Sequence, residues 1–285
     1  MFFSVLGAIA GNIFSSLDAV FSKKALKISH LSEILYTALG EFGGLIISLV
    51  RIAVGSFDCS LLTFQVIGGI VLIVGIVTAY DYVEQYLYRK EKISTLMPYA
   101  DLHLVFTIIL WYIIFHDVSV ISLIISIVAF AVVMVFTIDF KKLVFPRSFK
   151  QILLVQWLRT LELLVIWWLL LGVPDKEFFI IYQILVFVIL LWPILWKKMY
   201  SWLRGMSAKF YGYVWASSLV GNLGFLLFLF VVGEFGIVLS ILFSFLWTWF
   251  TLLCGYLIFK EKPSKKGIVM IVIITILVAL GFYFK

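Results

Sequence analysis

Charged residues make up only 13% of this 285-residue chain, about half the share of a soluble domain. No polar stretch is long enough to form a water-soluble domain. Cysteine is almost absent: Cys59 sits in a polar segment and Cys254 inside an apolar run, which argues against a disulfide framework or a zinc site. The three histidines, His30, His103 and His116, lack metal-ligand spacing. There is no glycine-rich phosphate loop, no nucleophile elbow and no Cys/His dyad. The sequence therefore offers no catalytic constellation, and the expectation is a protein that is not an enzyme and uses no cofactor or metal. An ATP-driven pump is excluded for want of a nucleotide-binding domain.

What is abundant is apolar sequence. Hydrophobic residues reach 64% and the mean hydropathy is +1.18. A bilayer span takes about 20 mostly apolar residues. Apolar runs and polar breaks place ten spans near 2–22, 31–53, 63–88, 93–115, 119–138, 149–172, 178–196, 208–232, 236–259 and 266–284. The first run has no basic lead and carries Asp18 near its end, both wrong for a cleaved signal peptide, so it is read as a helix. Short connections make one bundle. The fold class expected is all-α, a polytopic membrane protein.

Sliding the chain by 144 residues superposes spans one to five on spans six to ten without a gap. Asn12 then meets Gln156, Asp18 meets Glu162, Gly68 meets Gly212, Thr107 meets Thr251 and Phe115 meets Phe259. This divides the chain into five-helix halves at 1–141 and 145–285. Charge sets their relative orientation. Of the 22 Lys and Arg residues, 18 fall in alternate connections: Lys23, Lys24 and Lys27; Arg89, Lys90 and Lys92; Lys141, Lys142, Arg147 and Lys150; Lys197, Lys198, Arg204 and Lys209; Lys260, Lys262, Lys265 and Lys266. Arg51, Lys176 and Lys285 lie on the other side, and Arg159 is within a span. The excess of +7 and the pI near 9.3 are thus read as topology, with no nucleic-acid partner. Both termini are expected outside, in a plasma-membrane protein. An odd number of helices per half makes the repeats inverted, an arrangement typical of secondary transporters.

The segment Phe259-Lys-Glu-Lys-Pro-Ser-Lys-Lys-Gly267, followed by an apolar helix ending Ala279-Leu-Gly281, resembles the closing helix pair of the EamA domain of the drug/metabolite transporter superfamily. Glu261 matches that domain's turn glutamate and Gly267 the glycine opening its last helix. Asp117 takes the glutamate's place in the first half, and Pro98 matches a proline common in the fourth helix. Leu242 and Leu123 stand where the family often has proline and glycine, and its members usually keep their termini in the cytoplasm. The resemblance implies a ten-helix permease.

Ionisable side chains within spans are candidate functional residues, because each is costly in hydrocarbon. Here they are Asp18, Glu41, Asp81, Glu84, Asp101, Arg159, Glu162 and His103. Arg159 and Glu162, three apart on one helix, can meet. They either brace the bundle as a neutral pair or line a central cavity with Asn12, Ser15, Asp18 and Gln156. Asp18 can instead pair with Lys23 or Lys24. Glu84 is expected at the interface, Asp81 one turn deeper with Gln85 and Tyr88, and Glu41 in a glycine-rich packed seam. Tyr99, His103 and Thr107 share one face; Trp247 and Thr251 share the matching face of the ninth helix, with Phe243, Ser240 and Ser244 near; Trp215, Ser218 and Asn222 share a stripe of the eighth with Tyr211. Such mixed aromatic and hydroxyl faces suit a binding pocket, though the same residues also join membrane helices. The function expected is a secondary transporter moving a small polar metabolite, amino acid or amphipathic cation, with protons as a candidate coupling ion, in a monomer or homodimer. A lipid or lipid-linked-sugar flippase of the same fold is the alternative.

Overall fold

The computed structural model describes residues 2–28, 33–55, 57–116, 119–137, 148–196 and 206–283, with side chains excepted at 2–4, 33–34, 59, 192–196, 235–242, 278 and 281–282. The half boundary at 141–145, the residues His30, Asp117, Lys141, Lys142, Arg147, Lys197, Lys198, Arg204 and Lys285, and the side chains of Cys59, Ser240 and Leu242 lie outside the described residues.

Among the described residues there are helices and no strand: α1 (Phe2–Ile28), α2 (Glu33–Gly40), α3 (Phe42–Val54), α4 (Phe64–Lys90), α5 (Ile93–Leu96), α6 (Leu102–Phe115), α7 (Val120–Thr137), α8 (Phe149–Leu170), α9 (Asp175–Trp196), α10 (Ala208–Phe259) and α11 (Lys265–Tyr283). Apolar runs become helices because a chain in lipid must satisfy its own backbone groups. Hydroxyls start four of them: Val66 N–H donates to Thr63 Oγ1 (3.3 Å) ahead of α4, Ser122 N–H to Ser119 Oγ (3.2 Å) ahead of α7, Phe210 N–H to Ser207 Oγ (3.2 Å) ahead of α10 and Gly267 N–H to Ser264 Oγ (2.9 Å) ahead of α11, each satisfying a free donor of the first turn. Two helices end on non-glycine residues with left-handed backbone, His116 (φ 52°) after α6 and Lys260 (φ 57°) after α10, the conformation that closes the last carbonyls.

Among the described residues, seven helical segments are long and apolar enough to cross a membrane: Val5–Ile28, Leu35–Val54, Phe64–Lys90, Ile93–Phe115, Val120–Thr137, Phe149–Leu170 and Ala208–Glu234. A shorter apolar helix, Phe243–Phe259, follows the last. The face that α7 turns inward carries Ser122, Ser126, Ala129 and Val133, while Ile121, Ile124, Val128 and Val135 are exposed. Small and polar inside with branched apolar outside is the pattern of a helix packed within a bilayer. The chain is an integral membrane protein.

Two spans are broken where the sequence suggested continuous helices. The run 31–53 is interrupted at Gly40–Glu41, and 93–115 passes through a single 3₁₀ turn, Met97–Tyr99, at Pro98, whose ring removes an N–H and crowds the preceding turn. Conversely, 208–232 and 236–259 carry one helical assignment. Their contacts with α1 nevertheless run in opposite directions. Gly11 faces Leu227 and Gly224, and Ser22 meets Ser217, so this limb descends as α1 ascends. Ser16 meets Thr251 and Lys23 meets Glu261, so the second limb ascends. A straight helix would separate residues 224 and 251 by about 40 Å, so the chain reverses between Phe230, which still faces Gly7, and Trp247, whose carbonyl meets Ser16. Gly11 and Gly224 let α1 and the first limb approach: a Cβ on Gly224 would lie 2.6 Å from Ser15 Oγ.

Helix directions follow from the ends. Lys23, late in α1, bonds the Glu91 carbonyl just past α4, whereas Leu169, late in α8, packs on Gly69 near the start of α4. Helices α1 and α8 therefore run antiparallel. One apolar core joins Ile70, Val74, Phe178 and Phe179 with α1 and α10. A second gathers Leu104, Phe106, Trp111, Ala129 and Phe245.

Candidate functional site

Polar stripes on otherwise apolar helices converge on a cavity of about 350 Å³. From α4 come Val77, Tyr80, Asp81, Glu84, Gln85 and Tyr88, spaced by three and four and so on one face. The α1 stripe runs from Ala8 to Ser22, about 21 Å along the axis. Helix α8 adds Arg159 and Glu162, α2 adds Tyr36 and Thr37, α9 adds Tyr182 and Gln183, and the two limbs of α10 contribute Ser217, Asn222 and Trp247 among others.

Of the residues singled out from sequence, the cavity wall includes Asn12, Ser15, Asp18, Glu41, Asp81, Glu84, Gln85, Tyr88, His103, Arg159, Glu162, Ser218, Asn222, Phe243, Ser244 and Trp247. The others lie elsewhere. The turn at Pro98 takes Tyr99 off the His103 face, and its ring packs edge-on against Phe149 (5.8 Å). Thr107 is buried and donates to the His103 carbonyl (2.7 Å). Thr251 is buried a turn beyond Trp247 and donates to Ser16 Oγ (3.0 Å). Gln156 lines a smaller recess beside Arg159 and Trp247. Trp215 is 42% exposed and meets Phe42 edge-on at the bundle surface. Asp101 is buried outside the cavity and accepts from Thr248 Oγ1 (2.7 Å).

Two pairings differ from the sequence expectation. Arg159 reaches across to α4: its Nη2 lies 2.7 Å from both Glu84 oxygens, rather than turning to Glu162 on its own helix. Glu84 is thereby in the cavity wall, not at the interface, and also accepts from Tyr88 Oη (2.9 Å). The guanidinium sits 5.5 Å from the Tyr80 ring and 5.0 Å from the Trp247 ring, which adds cation–π attraction. Opposite charges on facing helices can approach head-on, which an i,i+3 pair on one helix does less directly. Asp18, likewise, takes no lysine. Ser22 and Ser217 donate to its Oδ1, and Tyr36 Oη donates to Ser22 Oγ.

Lys23 belongs to another cluster. Its side chain is fully buried, 2.8 Å from Glu261 Oε1 and 2.9 Å from the Glu91 carbonyl, under the Phe259 ring. Lys23 directly follows Ser22, the last α1 residue of the cavity wall, but neither Lys23 nor Glu261 lines the cavity.

The break at Gly40–Glu41 is held from α10. The Gly40 carbonyl accepts from Ser218 Oγ (2.5 Å) and Asn222 Nδ2 (3.1 Å), and Gly43 N–H donates to Ser218 Oγ (2.7 Å). A side chain inserted into the helix ladder bends the helix and turns Glu41 into the cavity beside Gln183. Tyr36, Tyr80, Tyr182, Gln183 and Ser217 were not singled out by sequence. The signal for Tyr80 was present in the three-and-four spacing around Asp81, but Tyr182 and Gln183 sit in an apolar run with no periodic polar neighbours. Chemically, the wall is rich in acceptors, with aromatic rings among them. Among the described residues, no three His, Cys, Asp or Glu side chains are close enough to hold a metal ion.

The chain matches no family model and no curated protein sequence.

Proposed function

We propose that the protein is a secondary transporter of the drug/metabolite transporter type, with ten transmembrane helices in two inverted five-helix repeats, moving a small polar metabolite across the plasma membrane by alternating access. The observation that carries this reading is the make-up of the cavity wall. A shift of 144 residues relates Ser15 to Arg159, Asp18 to Glu162, Ala19 to Leu163, Ser22 to Ile166, Tyr80 to Gly224, Asp81 to Phe225, Glu84 to Phe228 and His103 to Trp247, and every one of these lines the cavity. The same shift carries the cap Thr63 onto Ser207 and the left-handed His116 onto Lys260. The antiparallel course of α1 and α8 supports inversion. Sites at a repeat interface, beside interrupted helices, are where such transporters bind.

On this reading the two ends of the cavity act as alternate gates. The Lys23–Glu261 pair with Phe259 seals the basic, cytoplasmic side. Lys23 and Phe259 are related by the repeat to Trp167 and Phe115, which stack edge-on at 4.9 Å near the other side. One gate is ionic and the other aromatic. Asp81 and Glu162 are the proposed proton-exchanging groups, since a carboxylate in hydrocarbon is neutralised by a proton or a cation. The test is uptake by the purified protein in proteoliposomes, across a panel of metabolites, with and without an imposed pH gradient. Accumulation or counterflow of a panel member supports the reading, and leak-level uptake of all of them by folded protein removes it.

A further inference from the structure

The cavity's charges are unbalanced. Five carboxylates line it (Asp18, Glu41, Asp81, Glu84 and Glu162), against one guanidinium, Arg159. That guanidinium is already committed, with one nitrogen 2.7 Å from both Glu84 oxygens and its plane between Tyr80 and Trp247. No free cation remains on the described wall to receive a substrate carboxylate.

The acceptors, by contrast, are in excess. On the same wall Gln85 Oε1 and Thr37 Oγ1 are buried without a hydrogen-bond partner. A buried acceptor left unmade is costly, so a ligand that brings donors gains more here than one that brings charge alone. The carboxylates are also too dispersed to wrap a bare metal ion. The rings of Tyr36, Tyr80, Tyr182 and Trp247 stand between them, and these cover the hydrocarbon part of a molecule and attract a cationic head.

We propose that the cavity binds a small amine, an organic cation that carries N–H donors, and rejects carboxylate compounds of the same body. This rests on reading the cavity as the transport site, and it names that site's substrate class. A volume of about 350 Å³ is at the small end of ligand pockets and suits a monoamine or short diamine. Aromatic attraction alone would accept a quaternary ammonium equally well; the unmet acceptors would not.

The test is calorimetric titration of the full chain in lipid nanodiscs with phenethylamine, hexylamine and 1,5-diaminopentane, set against trimethyl(2-phenylethyl)ammonium and 3-phenylpropionate. At least one amine binds, phenethylamine about 10- to 100-fold tighter than its trimethyl analogue, as expected for hydrogen bonds to charged groups, and 3-phenylpropionate does not bind. Asp81→Asn and Glu162→Gln each weaken amine binding. Equal affinity for phenethylamine and its trimethyl analogue, tighter binding of 3-phenylpropionate, no binding by any amine to folded protein, or undiminished binding in both carboxylate variants would overturn the proposal. Amine binding without amine uptake in proteoliposomes supports the ligand class and removes the transporter reading. Uptake of carboxylate compounds alone does the reverse.

Discussion

Ser16 and Thr160 make the same hydrogen bonds in two different places. Ser16 Oγ shares its proton between the carbonyls of Asn12 (2.7 Å) and Trp247 (3.1 Å), and Thr160 Oγ1 between those of Gln156 (2.9 Å) and His103 (3.0 Å). Each member of the first set stands 144 residues from its counterpart in the second. In the proposed inverted repeat these are equivalent joints, tying the first helix of each half to the fourth helix of the other. Removing either hydroxyl, by Ser16→Ala or Thr160→Val, is expected to cost a similar amount, roughly 0.6 to 1.7 kcal/mol for a hydrogen bond between membrane helices. Thermal unfolding of the two variants in detergent measures this. Unequal effects, one neutral and one severe, would argue against equivalence.

The ionic closure gives a sharper test. Breaking a buried pair from one side leaves an uncompensated charge and costs about 3–5 kcal/mol, whereas replacing both partners is far better tolerated. Lys23→Met and Glu261→Gln are each expected to lower the melting temperature strongly, and the double variant to regain most of the loss. A cysteine replacing Ser217, just inside the closure, should react faster with thiol reagents from the basic side in the double variant than in the parent. Unchanged labelling would mean that the pair is a brace and not a gate.

Gly44 is where α3 passes the Gln183–Asn222 hydrogen bond (2.6 Å). A Cβ at Gly44 would collide with Gln183 Oε1 and Asn222 Oδ1, both held inside the bundle, while at Gly68 and Gly212 it would meet nothing within 4 Å. Gly44→Ala is expected to cost about 1–3 kcal/mol by overpacking and to disturb the Asn222 contact with the broken helix at Gly40. Gly68→Ala and Gly212→Ala serve as neutral controls in the same melting experiment.

The proposed topology predicts labelling in intact cells. With Lys and Arg held in the cytoplasm, a cysteine beside Lys262 resists an impermeant thiol reagent and one beside Lys176 reacts. The opposite pattern would put the termini inside.

If Glu162 and Asp81 exchange protons, Glu162→Gln and Asp81→Asn should abolish the stimulation of uptake by a pH gradient. Arg159→Gln frees Glu84 from its partner and should damage folding or activity regardless of the substrate's own charge. Undiminished pH-driven uptake in both carboxylate variants would remove the proton mechanism.

The sequence by itself determined that this is a helical membrane protein, because apolar length and scarce charge leave a chain in lipid no other way to satisfy its backbone. It also marked Asp18, Asp81, Arg159, Glu162 and His103, since each is expensive in hydrocarbon wherever it points. Tertiary structure alone decided the partners. Arg159 had an acid three residues away on its own helix and took one 75 positions away on another, because facing helices bring side chains head-on. Lys23 reads as a loop charge, yet it is buried because Glu261, Glu91 and Phe259 arrive from distant segments to enclose it. Gly40–Glu41 reads as mid-helix; the break depends on Ser218 and Asn222 offering substitute hydrogen bonds. Tyr99, Thr107 and Thr251 share helical faces with cavity residues, yet a local turn or one further turn of helix takes them out of it. Periodicity fixes which side of a helix a residue occupies, while what stands opposite depends on how the helices pack.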